Sequence, residues 1–194
     1  MSAMPAADPD ATSPIAPPAA RSKIGPVLVA FAIGTAASVS LGVYGRLHNP
    51  TGQAINLAGF SSGLAAKTWL ATAAFFFGLV QIVTATGVMG KIKMPGWVSP
   101  VHRWSGRIAV ALTVPVAVHC LYALGFQGYS LRVLVHSLFG CFFFGAFICK
   151  MLILTREDSP SWVLPTLGGA VFSGLTALWM TAALWFFTTH GLTF

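Results

Sequence analysis

Five long apolar stretches, separated by short polar segments, make up most of the chain. They run over approximately 24–44, 67–89, 103–126, 132–154 and 163–187. A hydrocarbon core of about 30 Å needs about 20 residues of helix to cross it, and each stretch is long enough. The pattern predicts an all-α integral membrane protein with five transmembrane helices over residues 23–194. Residues 1–22, "MSAMPAADPDATSPIAPPAARS", are rich in Ala, Pro and Ser and show no apolar period. Such a segment cannot bury enough surface to offset its ordering entropy, so a disordered cytoplasmic tail is expected there. The short connection "GFQGYS" predicts that helices three and four are antiparallel neighbours. The longer connection from Gly45 to Ala66 contains "INLAGF", for which a short interfacial helix is expected. No internal repeat is evident, which disfavours a small-molecule carrier.

Composition agrees with the pattern. The 194 residues are 56% hydrophobic and 8% charged, with a mean hydropathy of +0.78. Soluble domains carry about 25% charged residues. The net charge of +7 would suggest nucleic acid in a soluble protein. Here the basic residues lie between apolar stretches, so membrane topology and an anionic inner leaflet account for them, and no nucleic acid is expected. With the N-terminus inside, Arg21, Lys23, Lys91, Lys93, Arg103, Arg107, Lys150 and Arg156 fall on the inner side. Only Arg46, Lys67 and Arg132 fall outside. That bias places the C-terminus outside and suits a bacterial inner (plasma) membrane. Trp97, Trp104 and Trp162 fit the inner interface, Trp69 and Trp185 the outer. Arg21 and Lys23 before the first apolar run also fit a signal sequence, but the long Pro-rich leader favours a retained helix. Cys120, Cys141 and Cys149 all lie in apolar runs without a CxxC pair, so neither a disulfide framework nor a zinc site is indicated.

Ionisable side chains inside a membrane are costly and raise a functional hypothesis by default. His119 and His136 lie at similar distances on either side of the "GFQG" turn, which sets their imidazoles at nearly one depth in the outer half. Two neutral imidazoles facing each other across helices suit the axial positions of a haem iron. Arg132, one turn outward from His136, is placed to meet haem propionates. Gly140, one turn inward, lacks the side chain that would keep a macrocycle off the backbone, and Phe139, Phe143 and Phe147 continue the stripe. Pro115, four residues before His119, is expected to kink helix three and re-aim the imidazole. The plainer alternative is that each histidine only hydrogen-bonds across helices. His102 is about 25 Å from His119 along a helix, too far to share a metal, and fits an interfacial or quinone-contacting residue. Its face continues through Gly106, Ala109, Thr113 and Cys120, all small, which suits close helix packing. Gln81 and Thr84 are expected to bond across helices, and His48 and His190 to be surface residues.

"HRWSGR", an apolar run and then "HC" resemble the helix opening of ferric-reductase-like membrane b-type cytochromes, over residues 102–140. Carried over by position, the resemblance implies a haem b whose axial ligands are His119 and His136. The four-histidine, two-haem pattern of such proteins is absent. The whole layout also resembles an uncharacterised five-pass bacterial membrane-protein family. Together these readings lead to an electron-transfer component rather than a complete enzyme, with no catalytic residues of its own. It would carry one bis-histidine haem near the outer face and exchange electrons with quinol and an extracytoplasmic redox protein, or anchor a larger redox complex. The competing expectation is a haem-free structural or assembly subunit.

Overall fold

The computed structural model describes residues 24–53, 56–57, 59–156 and 159–194. The expected tail over 1–22 lies outside them. Five helices are long and apolar enough to cross a membrane: α1 (Gly25–Leu47), α2 (Gly63–Val88), α3 (Val98–Leu124), α4 (Leu131–Leu154) and α5 (Val163–His190). No strand occurs among the described residues. The helices begin where local chemistry allows it. Ser62 accepts a hydrogen bond from the Ala65 amide (3.1 Å), so α2 starts four residues before its apolar run, at Gly63. Ser130 caps α4 in the same way through the Val133 amide (3.4 Å). α3 starts at Val98 rather than 103, because Pro100 falls in its first turn, where no intrahelical N–H bond is required. His102 and Arg103 therefore lie inside the helix. The short helix expected over "INLAGF" falls partly on Ile55 and Ala58, which are outside the described residues; the Phe60 amide donates to the Leu57 carbonyl (3.1 Å).

α3 packs on α2, α2 also meets α5, and α4 lies between α1 and α5. The ring closes where α1 touches the last turns of α3. Helices α3 and α4 are consecutive and antiparallel but do not pack extensively on each other, which corrects the expectation of neighbours. Connection length limits how far two helix ends can separate; it does not oblige their full lengths to touch.

The seam between α1 and α4 is the tightest. A Cβ on Gly34 would lie 2.6 Å from the Gly145 carbonyl oxygen, and one on Gly145 would collide with Ser38 Oγ and the Gly34 carbonyl. Small residues let backbones approach in lipid, where apolar burial alone gives no drive to associate. Ser38 donates to the Cys141 carbonyl across the seam (3.0 Å). Between α2 and α3 the link is polar. The Gln81 side-chain amide donates to the His102 carbonyl and to Ser105 Oγ (2.7 Å). Gly106 leaves the room, since a Cβ there would stand 3.0 Å from Gln81 Oε1. Trp179 of α5 donates to Thr72 of α2 (3.1 Å). Most other apolar surface faces outward: only 17–22% of each helix's hydrophobic window is buried within the chain. Trp97, Trp104 and Trp162 are exposed at one end of the bundle, as an interfacial belt requires.

Two helices change pitch. In α3 the segment His119–Leu124 is π-helical, and in α5 so is Met180–Leu184. The first begins four residues after Pro115; local widening, not only a proline bend, sets the direction of the residues beyond it. α3 stops at Gly125, whose φ of 70° favours glycine and whose amide returns to the Cys120 carbonyl (2.9 Å). The chain after α1 satisfies the carbonyls left over. Gly52 donates to Ala123 (3.1 Å), Thr51 to Tyr122 (3.3 Å), and His48 Nε2 also reaches the Tyr122 carbonyl (3.1 Å).

Candidate functional site

The space between α3 and α4 is a cavity of about 660 Å³ at the end of the bundle carrying Lys67 and Arg132. Pockets of roughly 300–1,000 Å³ enclose drug- or cofactor-sized molecules. Its wall is mostly apolar, with Val116, Phe143, Phe144 and Leu178 among the residues contributing. Lys67, Arg132 and His136 are the ionisable nitrogen groups on it, and Gly140 lines it as well. Three of the four residues singled out from the sequence thus share one wall.

His136 is held by the π segment of α5. The Thr181 hydroxyl donates its single proton to the Ala177 carbonyl (2.7 Å), so toward His136 Nδ1 (3.0 Å) it accepts. That pairing puts the imidazole proton on Nδ1 and leaves the Nε2 lone pair unprotonated. A ring fixed through one nitrogen with the other left bare is the usual state of a metal-ligating histidine. Arg132 is held by the same segment. Its Nη1 donates to the Thr181 carbonyl (2.7 Å), and its Cζ stands 4.0 Å from the Trp185 ring centroid, a cation–π contact. Trp185 is therefore a clamp on Arg132 rather than only an interfacial anchor.

His119 differs. It is buried, with 7% of its surface exposed, and does not line the cavity, although Val116, Ala117 and Cys120 around it do. Its imidazole makes no hydrogen bond with a described residue. Among those residues no buried side-chain nitrogen or oxygen lacks a partner, so the nitrogens of His119 must border open space. The structure brings Arg132, His136 and Gly140 together and leaves His119 one residue from the wall. No cluster of three or more metal-ligating side chains occurs among the described residues.

Gly140 is not a packing glycine. A Cβ there would meet nothing closer than Leu178 Cδ2 at 3.9 Å, unlike the crowded Gly34 and Gly145. Of the phenylalanine stripe, only Phe143 reaches the cavity; it is almost fully buried.

The remaining sequence candidates are structural. His102 Nδ1 pairs with Thr84 Oγ1 (2.8 Å), which donates onward to the Val80 carbonyl (2.6 Å). His48 stacks between Tyr44 and Tyr122, with centroids 5.1 Å from each, and caps α3. His190 is exposed and stacks on Phe186 at 4.9 Å. The three cysteines are free thiols. Sequence reading missed Thr181 and Lys67. Thr181 is 45 positions from His136, and no local signal links them. Lys67 was readable only as a flanking charge.

A family model matches residues 27–194, described as a family of unknown function (DUF6529). The chain belongs to this family. The match supports the expected uncharacterised membrane-protein layout, and no cytochrome or ferric-reductase family accompanies it. Comparison with curated proteins finds no match, and comparison with solved structures finds none.

Proposed function

We propose that the protein is a membrane electron-transfer component that binds one b-type haem in the cavity between α3 and α4, where His136 and His119 would hold the iron. One observation carries the reading: the His136 imidazole stands on an apolar cavity with Nδ1 occupied and Nε2 bare, and the His119 imidazole, without any hydrogen bond to a described residue, lies one residue from its wall. When bound, a haem supplies one-electron redox chemistry, and the donor set here is the neutral bis-imidazole type. The chain's own part is to fix His136 through Thr181, to exclude water with the apolar wall, and to leave room over Gly140. His119 must turn one nitrogen toward the wall that Val116, Ala117 and Cys120 form. The Lys and Arg distribution supports an N-terminus inside, a C-terminus outside and a bacterial inner membrane, with the cavity near the outer face. Quinol and an extracytoplasmic redox protein are the exchange partners this position favours, or a larger redox complex that the protein anchors.

A second reading has one observation in its favour. His136 is already hydrogen-bonded within the chain, as an interhelical structural histidine would be, so a haem-free assembly subunit is the competitor. A reduced-minus-oxidised absorbance spectrum of the detergent-purified protein separates the two. Haem bands are expected, and loss of them in both His119→Ala and His136→Ala but not in His48→Ala. A flat spectrum with no extractable haem would falsify the cytochrome reading.

A further inference from the structure

We propose that the cavity receives a ligand with an apolar body and a carboxylate, and that Lys67 is the cation that holds the carboxylate. Lys67 stands on the cavity wall in the second turn of α2, and its ammonium makes no hydrogen bond or ion pair with a described residue. Arg132, the other cation on the wall, is already anchored by the Thr181 carbonyl and the Trp185 ring. That assigns the free charge to Lys67, not to the arginine that the sequence pattern suggested for haem propionates.

No described residue offers this charge a counter-ion. The chain's only acidic side chains are Asp8, Asp10, Glu157 and Asp158, none of which belongs to the five helices or to the connection between α3 and α4. The Phe194 main-chain oxygen accepts from the Ser61 amide (2.7 Å), and no ion pair joins the chain end to Lys67. Nor do the helix dipoles compensate. Lys67 and Arg132 both sit in the first two turns of their helices, at the positive end, where an anion is favoured and a cation is not. Two cations on an apolar wall at two helix N-termini, without an acidic side chain among the described residues to pair with, form a site complementary to an anion. The volume of about 660 Å³ behind them is lined chiefly by Leu, Val, Phe and Ala side chains, so the rest of the occupant is apolar.

Two sources supply this chemistry. A haem presents carboxylates on a flat apolar ring, and that assignment rests on the function proposed above. A long-chain fatty acid presents one on a flexible tail and does not depend on it. Equilibrium binding to the full-length protein in detergent, with two acid–neutral probe pairs, distinguishes them: haem against haem dimethyl ester, and oleate against oleyl alcohol. The wild type should hold the acid of one pair at least about tenfold tighter than its neutral counterpart. Lys67→Met should bring that ratio to about one, and Lys67→Arg should restore most of it. Preference for haem over its ester supports both readings. Preference for oleate over oleyl alcohol, with no haem bound, keeps the carboxylate site and removes the haem. Equal affinity within both pairs, or a preference that survives Lys67→Met, overturns the proposal and leaves Lys67 as a lysine reaching to the headgroups. The wild-type comparison alone decides the first point should Lys67→Met fail to fold.

Discussion

Thr181 determines what His136 can do. Its hydroxyl proton is committed to the Ala177 carbonyl, so the imidazole must donate from Nδ1 and keep Nε2 bare. Thr181→Val preserves shape but leaves the imidazole without its orienting partner. Loss of such outer partners typically costs 10–100-fold in metal affinity, and a loss of about that size in haem affinity is expected by titration, with helical circular dichroism unchanged. Thr84→Val is the internal comparison. It removes the same partner from His102 at the other end of the bundle, and haem affinity should stay as in the wild type. Equal effects of the two valines would show that the threonines act on the bundle and not on the ligand.

At the scale of elements, the glycines divide by what surrounds them. Gly145 on α4 is crowded by Ser38 Oγ and the Gly34 carbonyl of α1, so an added methyl must push two helices apart. Overpacking of this kind costs about 1–3 kcal/mol, and Gly145→Ala should lower the thermal midpoint in detergent accordingly. Gly140 lies on the same helix with its nearest foreign atom at 3.9 Å. Gly140→Ala should be neutral or stabilising by up to about 1 kcal/mol through helix propensity, while weakening a ligand that uses the space above it. The contrary pattern would remove Gly140 from the site. The two π segments belong to this scale as well. One starts at His119 and the other carries Thr181, so both widened turns border one cavity. π-bulges of this kind recur at functional sites.

Taken whole, the described residues form a ring of five helices with a cavity where two consecutive helices stand apart. The bias of Lys and Arg predicts which end faces the cytoplasm. In a background with Cys120, Cys141 and Cys149 replaced by serine, Lys93→Cys should react with an impermeant maleimide only from the cytoplasmic side. Tyr129→Cys should react only from the opposite side. Reversed labelling would invert the orientation and move the cavity to the inner face, without altering the cavity itself.

Much of the architecture was legible in the sequence, because a bilayer imposes it. Any run of about 20 apolar residues must satisfy its backbone internally, so helix number and approximate bounds follow from hydropathy alone. The joint position of Arg132, His136 and Gly140 followed from helical periodicity, which is local. What periodicity does not carry is which helices touch. The wide space between α3 and α4, the clamp of Thr181 and Trp185 on residues 132 and 136, and the capping of α3 by His48 all join positions far apart in the chain. They depend on side-chain fit between helices, and only the tertiary structure decided them. The same packing fixes Arg132 and leaves Lys67 without a partner among the described residues, a difference that two basic residues flanking apolar runs do not reveal in sequence.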